Sequence, residues 1–218
     1  MDVIFGNLDL WGVAIKNTLL VFVFGGLLAL VLGIVVGAMR VSPVPVARAV
    51  GTLYVNLIRN TPLTLVFFFF VFGYPKLGLP DLSPFVLGTL AIGIYTATYV
   101  AEVLRAGINT VPVGQAEAAR AIGLPFGQVM SLVVLPQAFR SVVPPMMSVF
   151  IALLKNTTVA AGFSIAELAA MRATINDAAG RPGSPMEVLL WVAAVFVVLV
   201  LLMSWGQNRL EKKWRIAR

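Results

Sequence analysis

Residues 115–136 read QAEAARAIGLPFGQVMSLVVLP, and whether their second half crosses a membrane decides the fold. The uncharged run Ala121–Phe139 would be a sixth span. Pro125, Gly127 and Pro136 interrupt it, leaving a helical core of about ten residues, below the ~17 that a crossing needs. A sixth crossing would also place the basic tail Arg209–Arg218 outside, against the usual bias of cationic residues towards the cytoplasm. The first half reads instead as a stubby capped helix. Gly114 suits the N-cap, which puts Glu117 at the third helical position, facing unpaired N–H groups. Arg120 follows one turn on, Gly123 suits a left-handed residue after the last turn, and Pro125 forbids continuation. Ala116, Ala118 and Ala119 offer small side chains that let another surface come close.

Outward from this loop the chain is almost entirely apolar. Of 218 residues, 60% are hydrophobic and 11% charged, which places it outside the range of soluble domains. The hydropathy pattern predicts an all-α membrane protein with five transmembrane helices, near 16–40, 49–74, 82–105, 137–157 and 187–208. A single domain covers 1–218, with a cytoplasmic loop over 106–136. The first apolar run is too long for a cleaved signal peptide. The stretch before Lys16 reads as an interfacial segment with Trp11 at the boundary, and Gly33-Ile-Val-Val-Gly37 as a close-packing motif. The loop after the fourth span contains a candidate amphipathic helix, Ile165–Ile175, with Glu167, Arg172 and Asp177 exposed.

The net charge of +7 follows this topology rather than a nucleic-acid surface. With the N-terminus outside and the C-terminus cytoplasmic, the inner face receives Arg40, Arg48, Arg105, Arg120, Arg140 and the basic tail. The outer face receives Lys16, Lys76, Arg172 and Arg181 with most of the acids.

Three charges fall within or beside spans, where each costs roughly 2.5–3.5 kcal/mol on insertion scales. Glu102 has Arg105 one turn later as a structural ion-pair partner. Arg59 either snorkels to the inner surface or belongs with Asn60, Thr61 and Pro62 to a broken helix lining a binding site. Lys155, heading the polar group Asn156-Thr157-Thr158 beyond Pro144-Pro145, has the same two readings at the outer surface.

The chain has no cysteine and no histidine, which removes disulfides, thiol nucleophiles, Cys/His metal sites and imidazole acid–base chemistry. No phosphate-binding G-x-x-x-x-G-K-[ST] motif occurs, so any ATP hydrolysis belongs to another polypeptide. The chain is not expected to be an enzyme.

The spacing Glu117-Ala118-Ala119, Gly123, Val133, Leu135-Pro136 resembles the EAA loop of permease subunits in bacterial ATP-binding-cassette importers. The ordered segments RNTPL, YVAEVLRAGI, GQAEAARAIGL, LPQAFR and LLKNTT extend the resemblance, over nearly the whole chain, to the polar amino-acid permeases of that class. MRVSPV, RNTPLTLV, GINTV and KNTT are similar to glutamate-uptake permeases of actinobacteria. The family commonly has Lys-Asp-Thr-Ser where this chain has Lys155-Asn156-Thr157-Thr158, and losing the aspartate suits an anionic substrate.

The resemblance implies a type I ABC importer permease fold. It makes Gly114, Gln115, Ala116, Glu117, Ala118, Ala119, Arg120, Gly123 and Leu124 a coupling helix that docks on a cytoplasmic ATPase. It also implies a second permease subunit, identical or related, and an extracytoplasmic amino-acid-binding protein. No cofactor is expected in this chain, since ATP and magnesium would be held by the ATPase. Arg59, Asn60, Thr61, Lys155, Asn156, Thr157 and Thr158 are the candidate substrate residues. The rival reading is a self-contained channel or small secondary transporter, which explains the spans but gives the short helix no task.

Overall fold

The computed structural model describes residues 6–163, 165, 167–170 and 185–214. The helices are α1 (Leu8–Val41), α2 (Pro45–Arg59), α3 (Leu63–Leu77), α4 (Pro84–Ile108), α5 (Val113–Ala121), α6 (Phe126–Phe163) and α7 (Pro185–Trp214). Among the described residues four are long and apolar enough to cross a membrane (α1, α4, α6 and most of α7), and α2 with α3 makes a fifth if counted together.

The second span is not straight. α2 and α3 meet at 99° across Asn60, Thr61 and Pro62. Pro62 cannot donate to the ladder and pushes Thr61 out of the helical region, so the break falls where the sequence placed it. Thr61 returns its hydroxyl to the Leu57 carbonyl, 2.8 Å away, and so satisfies one freed acceptor. α3 is held at its new angle by rings: Phe163 stacks on Phe67 and meets Phe68 edge-on, both at 5.0 Å between centroids.

α1 and α4 form the central pair. A β-carbon at Gly33 would lie 2.5 Å from that of Val100, so only glycine admits this approach. The expected close packing at Gly33 and Gly37 is therefore what joins α1 to α4. Where α1 continues upstream of Lys16 it is still helix. Trp11 is buried against Leu168, Val188 and Val192.

α6 begins eleven residues earlier than the fourth span was expected to, at Phe126 rather than Gln137. Pro136 does not stop it. The turn Val129–Val134 widens to a π-helical form just ahead of the proline, relieving the clash of its ring with the preceding turn. No sixth crossing results, since this early part packs against α5.

Between α6 and α7, Ile165 and Leu168 are buried and 165–170 is not helical where described; residues 171–175 of the expected amphipathic helix, with Arg172, and Asp177 beyond its end lie outside the described residues. Glu167, expected at the surface, is completely buried. Its Oε1 accepts from the Ala170 amide at 2.9 Å, while Oε2 has no hydrogen-bond partner among the described residues. The Leu168 amide donates to Thr18 Oγ1 on α1 at 2.9 Å, which holds this turn inward. Burial pushes the Glu167 carboxyl from 4.5 up to about 7, against the smaller pull of its hydrogen bonds. A raised carboxyl keeps its proton in the folded chain after the unfolded chain has lost it. Stability should therefore be greatest below about pH 4.5 as far as this group is concerned, and fall as pH rises through about 7. The thermal midpoint of the purified protein between pH 5 and 8 checks this, and Glu167→Gln should flatten the slope.

Candidate functional site

Three places carry polar groups that the packing of helices alone does not require. The first is α5. Pro112, at φ −57° and ψ 131°, sets the extended entry, and its carbonyl takes the Gln115 amide at 3.0 Å. The cap is thus Pro112 and not Gly114, which moves Glu117 from the third to the fifth helical position and away from the unpaired amides. The exit matches expectation. Gly123 has φ +90°, its amide reaches the Arg120 carbonyl and that of Leu124 reaches Ala119. These two bonds form a Schellman end, and Leu124 packs beside Ala119 in the same apolar cluster.

Two of the three small residues, Ala116 and Ala119, face inward, and only Ala118 faces out as expected. Ala119 is buried against Val111, Val129, Val134 and Ala138, with Ala116 partly buried beside it, so they seat α5 on the start of α6. Gln137 Nε2 donates to Gln115 Oε1 at 2.5 Å, tying the two helices again. What remains exposed is Glu117, Ala118, Arg120 and two large apolar side chains, Val113 at 71% and Ile122 at 80%. Among the described residues Glu117 and Arg120 form no ion pair. An exposed helix face with apolar ends and unpaired charges between them suits docking into a groove. The sequence reading missed Val113 and Ile122, although both sit at the ends of the loop it had singled out.

The second place is a carboxylate ringed by guanidinium groups. Glu102 on α4 meets Arg105 at 3.1 Å, as the one-turn spacing suggested, and also Arg40 at 2.5 Å and Arg59 at 3.6 Å. Arg40 is the most buried, its side chain 8% exposed. A glycine makes room for it: a β-carbon at Gly51 on α2 would lie 2.9 Å from Arg40 Cγ. Arg59 therefore leans on an acid of its own chain, 40% exposed. The Arg40 contact spans 62 positions and no local spacing announces it.

The third is a cavity of about 350 Å³ between α4 and α6, within the size of small-molecule sites. Tyr95, Thr96 and Tyr99 line it from α4, and Ser148 and Asn156 from α6, over an apolar floor of Val149, Ala152 and Leu153. The Tyr95 and Tyr99 hydroxyls lie 3.0 Å apart, one turn from each other on one face. Of the candidate substrate residues only Asn156 lines this cavity. Lys155 is exposed, while the hydroxyls of Thr157 and Thr158 return to the carbonyls of Leu154 and Lys155, both at 2.8 Å. Asn60 closes α2 through its amide, and Arg59 is held at Glu102, three residues along α4 from Tyr99. Tyr95, Tyr99 and Ser148 were not singled out by sequence, because tyrosine and serine at helical spacing look like ordinary membrane-helix residues.

Comparison with known proteins gives a consistent picture. The profile described as the binding-protein-dependent transport system inner membrane component matches residues 29–216. The chain is similar to the glutamate transport system permease protein GluC of Corynebacterium efficiens, 40% identical over 214 residues that cover 92% of each chain. Its counterpart in Corynebacterium glutamicum is 39% identical with the same coverage. Among solved structures, a chain from the crystal structure of an amino acid ABC transporter with histidines superposes with a TM-score of 0.88 at 27% identity, covering 96% of both chains.

Proposed function

Since the chain belongs to the inner membrane components of binding-protein-dependent transport systems, with the type I ABC importer permease fold, we propose that it admits a polar amino acid, glutamate foremost. It is a multi-pass membrane permease subunit and not an enzyme. Energy would come from a separate ATPase that grips α5 on the cytoplasmic side, holding ATP and magnesium itself. A binding protein would deliver the amino acid to the outer face, and a second permease subunit would complete the pathway.

The observation that carries this reading is the exposed face of α5, fastened to α6 from behind and unpaired in front. A channel or secondary transporter has no use for such a face. The cavity between α4 and α6 is the proposed resting place of the substrate. Its tyrosine hydroxyls, Ser148 and the Asn156 amide can hydrogen-bond an α-carboxylate and α-ammonium group. Arg59 would join them by letting go of Glu102, which keeps its stronger partners Arg40 and Arg105. The guanidinium fork then suits the side-chain carboxylate.

Reconstitution of the purified assembly in liposomes tests the reading. Glutamate with its binding protein should stimulate ATP hydrolysis and drive uptake, and neither should occur when the ATPase is left out. Asn156→Ala should weaken the response to glutamate about tenfold, the loss of one hydrogen bond to a charged group. Uptake by the permease alone would refute the assignment. An unchanged response in the Asn156 variant would move the substrate to another cavity.

A further inference from the structure

Beside the Glu102 cluster, at the end of the bundle where α5 lies, a second recess of about 380 Å³ opens between α1, α2 and α4. Arg40, Arg48 and Arg105 line it together with Ser42, Asn109 and Phe126, and no acidic side chain is among its lining residues. Arg48 is fixed there by donating one nitrogen to the Ser42 and Pro43 carbonyls, at 2.8 and 2.9 Å. The rest of its fork has no partner among the described residues. Arg40, 8% exposed, gives one nitrogen to Glu102, while its buried Nε has no acceptor among the described residues. One carboxylate, Glu102, serves three guanidinium groups, so this corner keeps a net positive charge.

An apolar groove of about 400 Å³ continues from the recess, sharing Val41, Ser42, Pro43, Ile108 and Phe126 with it. It runs along Ile34, Leu104, Met130 and Leu135, and Ile34 and Leu135 are exposed on the outside of the bundle. A cationic recess with no acid in its walls therefore opens onto an apolar trough.

We propose that an anionic phospholipid binds here, its phosphate among Arg40, Arg48 and Arg105 and its acyl chain in the groove between α1, α4 and α6. Guanidinium forks match phosphate oxygens, and basic pockets between membrane helices take such headgroups. A neutral lipid satisfies the groove but not the charge, and free phosphate satisfies the charge but leaves the groove empty. Phe126, the first residue of α6 and a wall of both spaces, sits two residues beyond Leu124 at the end of α5. The bound lipid would thus steady the joint between the short helix and the bundle. Binding does not depend on the transport cycle proposed above.

The test is native mass spectrometry of the full chain, purified with its associated subunits and released from nanodiscs of equal phosphatidylglycerol and phosphatidylcholine. Phosphatidylglycerol should remain attached and phosphatidylcholine should not. Arg48→Gln should weaken retention about fivefold, the worth of one cation near a lipid headgroup, and Arg48→Lys should recover part of it. Ala38→Trp, at an exposed position in the groove, should expel the lipid with every arginine intact. Equal retention of the two lipids, or indifference to both Arg48→Gln and Ala38→Trp, would overturn the proposal. So would inorganic phosphate binding with the same dependence on Arg48 while phosphatidylglycerol does not. Crosslinks from Leu135→Cys to a second permease subunit across the groove would overturn it as well.

Discussion

Exchanging Glu117 for lysine should reduce ATP-driven uptake to background while leaving the chain folded in the membrane. The side chain is exposed, lies mid-helix and makes no ion pair among the described residues, so the fold loses little, within about 0.5 kcal/mol for such a surface site. An assembly that receives α5 in a groove meets a reversed charge there instead, and like charges brought together at an interface cost several kcal/mol. Association with the ATPase should weaken about a hundredfold or more. Co-purification of the ATPase with the tagged permease, and uptake in the same cells, give the two readouts. Full association and full uptake would end the coupling assignment for α5. Loss of the permease itself from the membrane would mean that Glu117 supports the fold.

The second large effect is expected at Glu102. Glu102→Ala leaves Arg40 buried beside Arg105 and Arg59 with no carboxylate, and breaking a buried pair in this way costs about 3–5 kcal/mol. Arg59→Ala removes only the longest and most exposed of the three contacts, which is worth about 0–1 kcal/mol. Thermal unfolding of the purified protein should therefore drop sharply in the first variant and barely move in the second. The transport phenotype should run the other way for Arg59 if it contacts substrate: normal stability with poor uptake. Equal destabilisation by both changes would show that the carboxylate is shared evenly, and Arg59 would not be free to leave it.

Much of this was legible in the residues. Hydropathy gave the helices, Pro62 the break in the second span, and Gly33-Ile-Val-Val-Gly37 a close helix approach, though not the helix on the other side. Gly123 and Pro125 marked the end of α5 correctly because left-handed backbone and a missing donor are local facts. The errors were of another kind. Gly114 lost the cap to Pro112, since a proline's fixed φ sets the entry before any cap residue can. Pro136 was read as a stop, but a widened turn absorbed it. Glu167 looked like a surface acid, and its burial depends on Thr18, 150 positions from Leu168 in sequence. Arg40 beside Glu102, and the tyrosine-lined cavity, arise likewise from the meeting of distant helices.

α6 joins the seat of α5 to the wall of the cavity in a single rod. Its contacts with the α5 region end near Ser141, which lies 3.0 Å from the Thr110 hydroxyl, and its cavity residues begin at Ser148. Between those points stand Pro144 and Pro145, so the Arg140 and Ser141 carbonyls lack the intrahelical donors that stiffen the rest. A push delivered at the base would therefore pass through a compliant stretch before it reached the cavity. On the proposed reading, grip at one end and release at the other would not have to happen in the same instant, and a delay of that kind would let the motor commit before the cargo is let go.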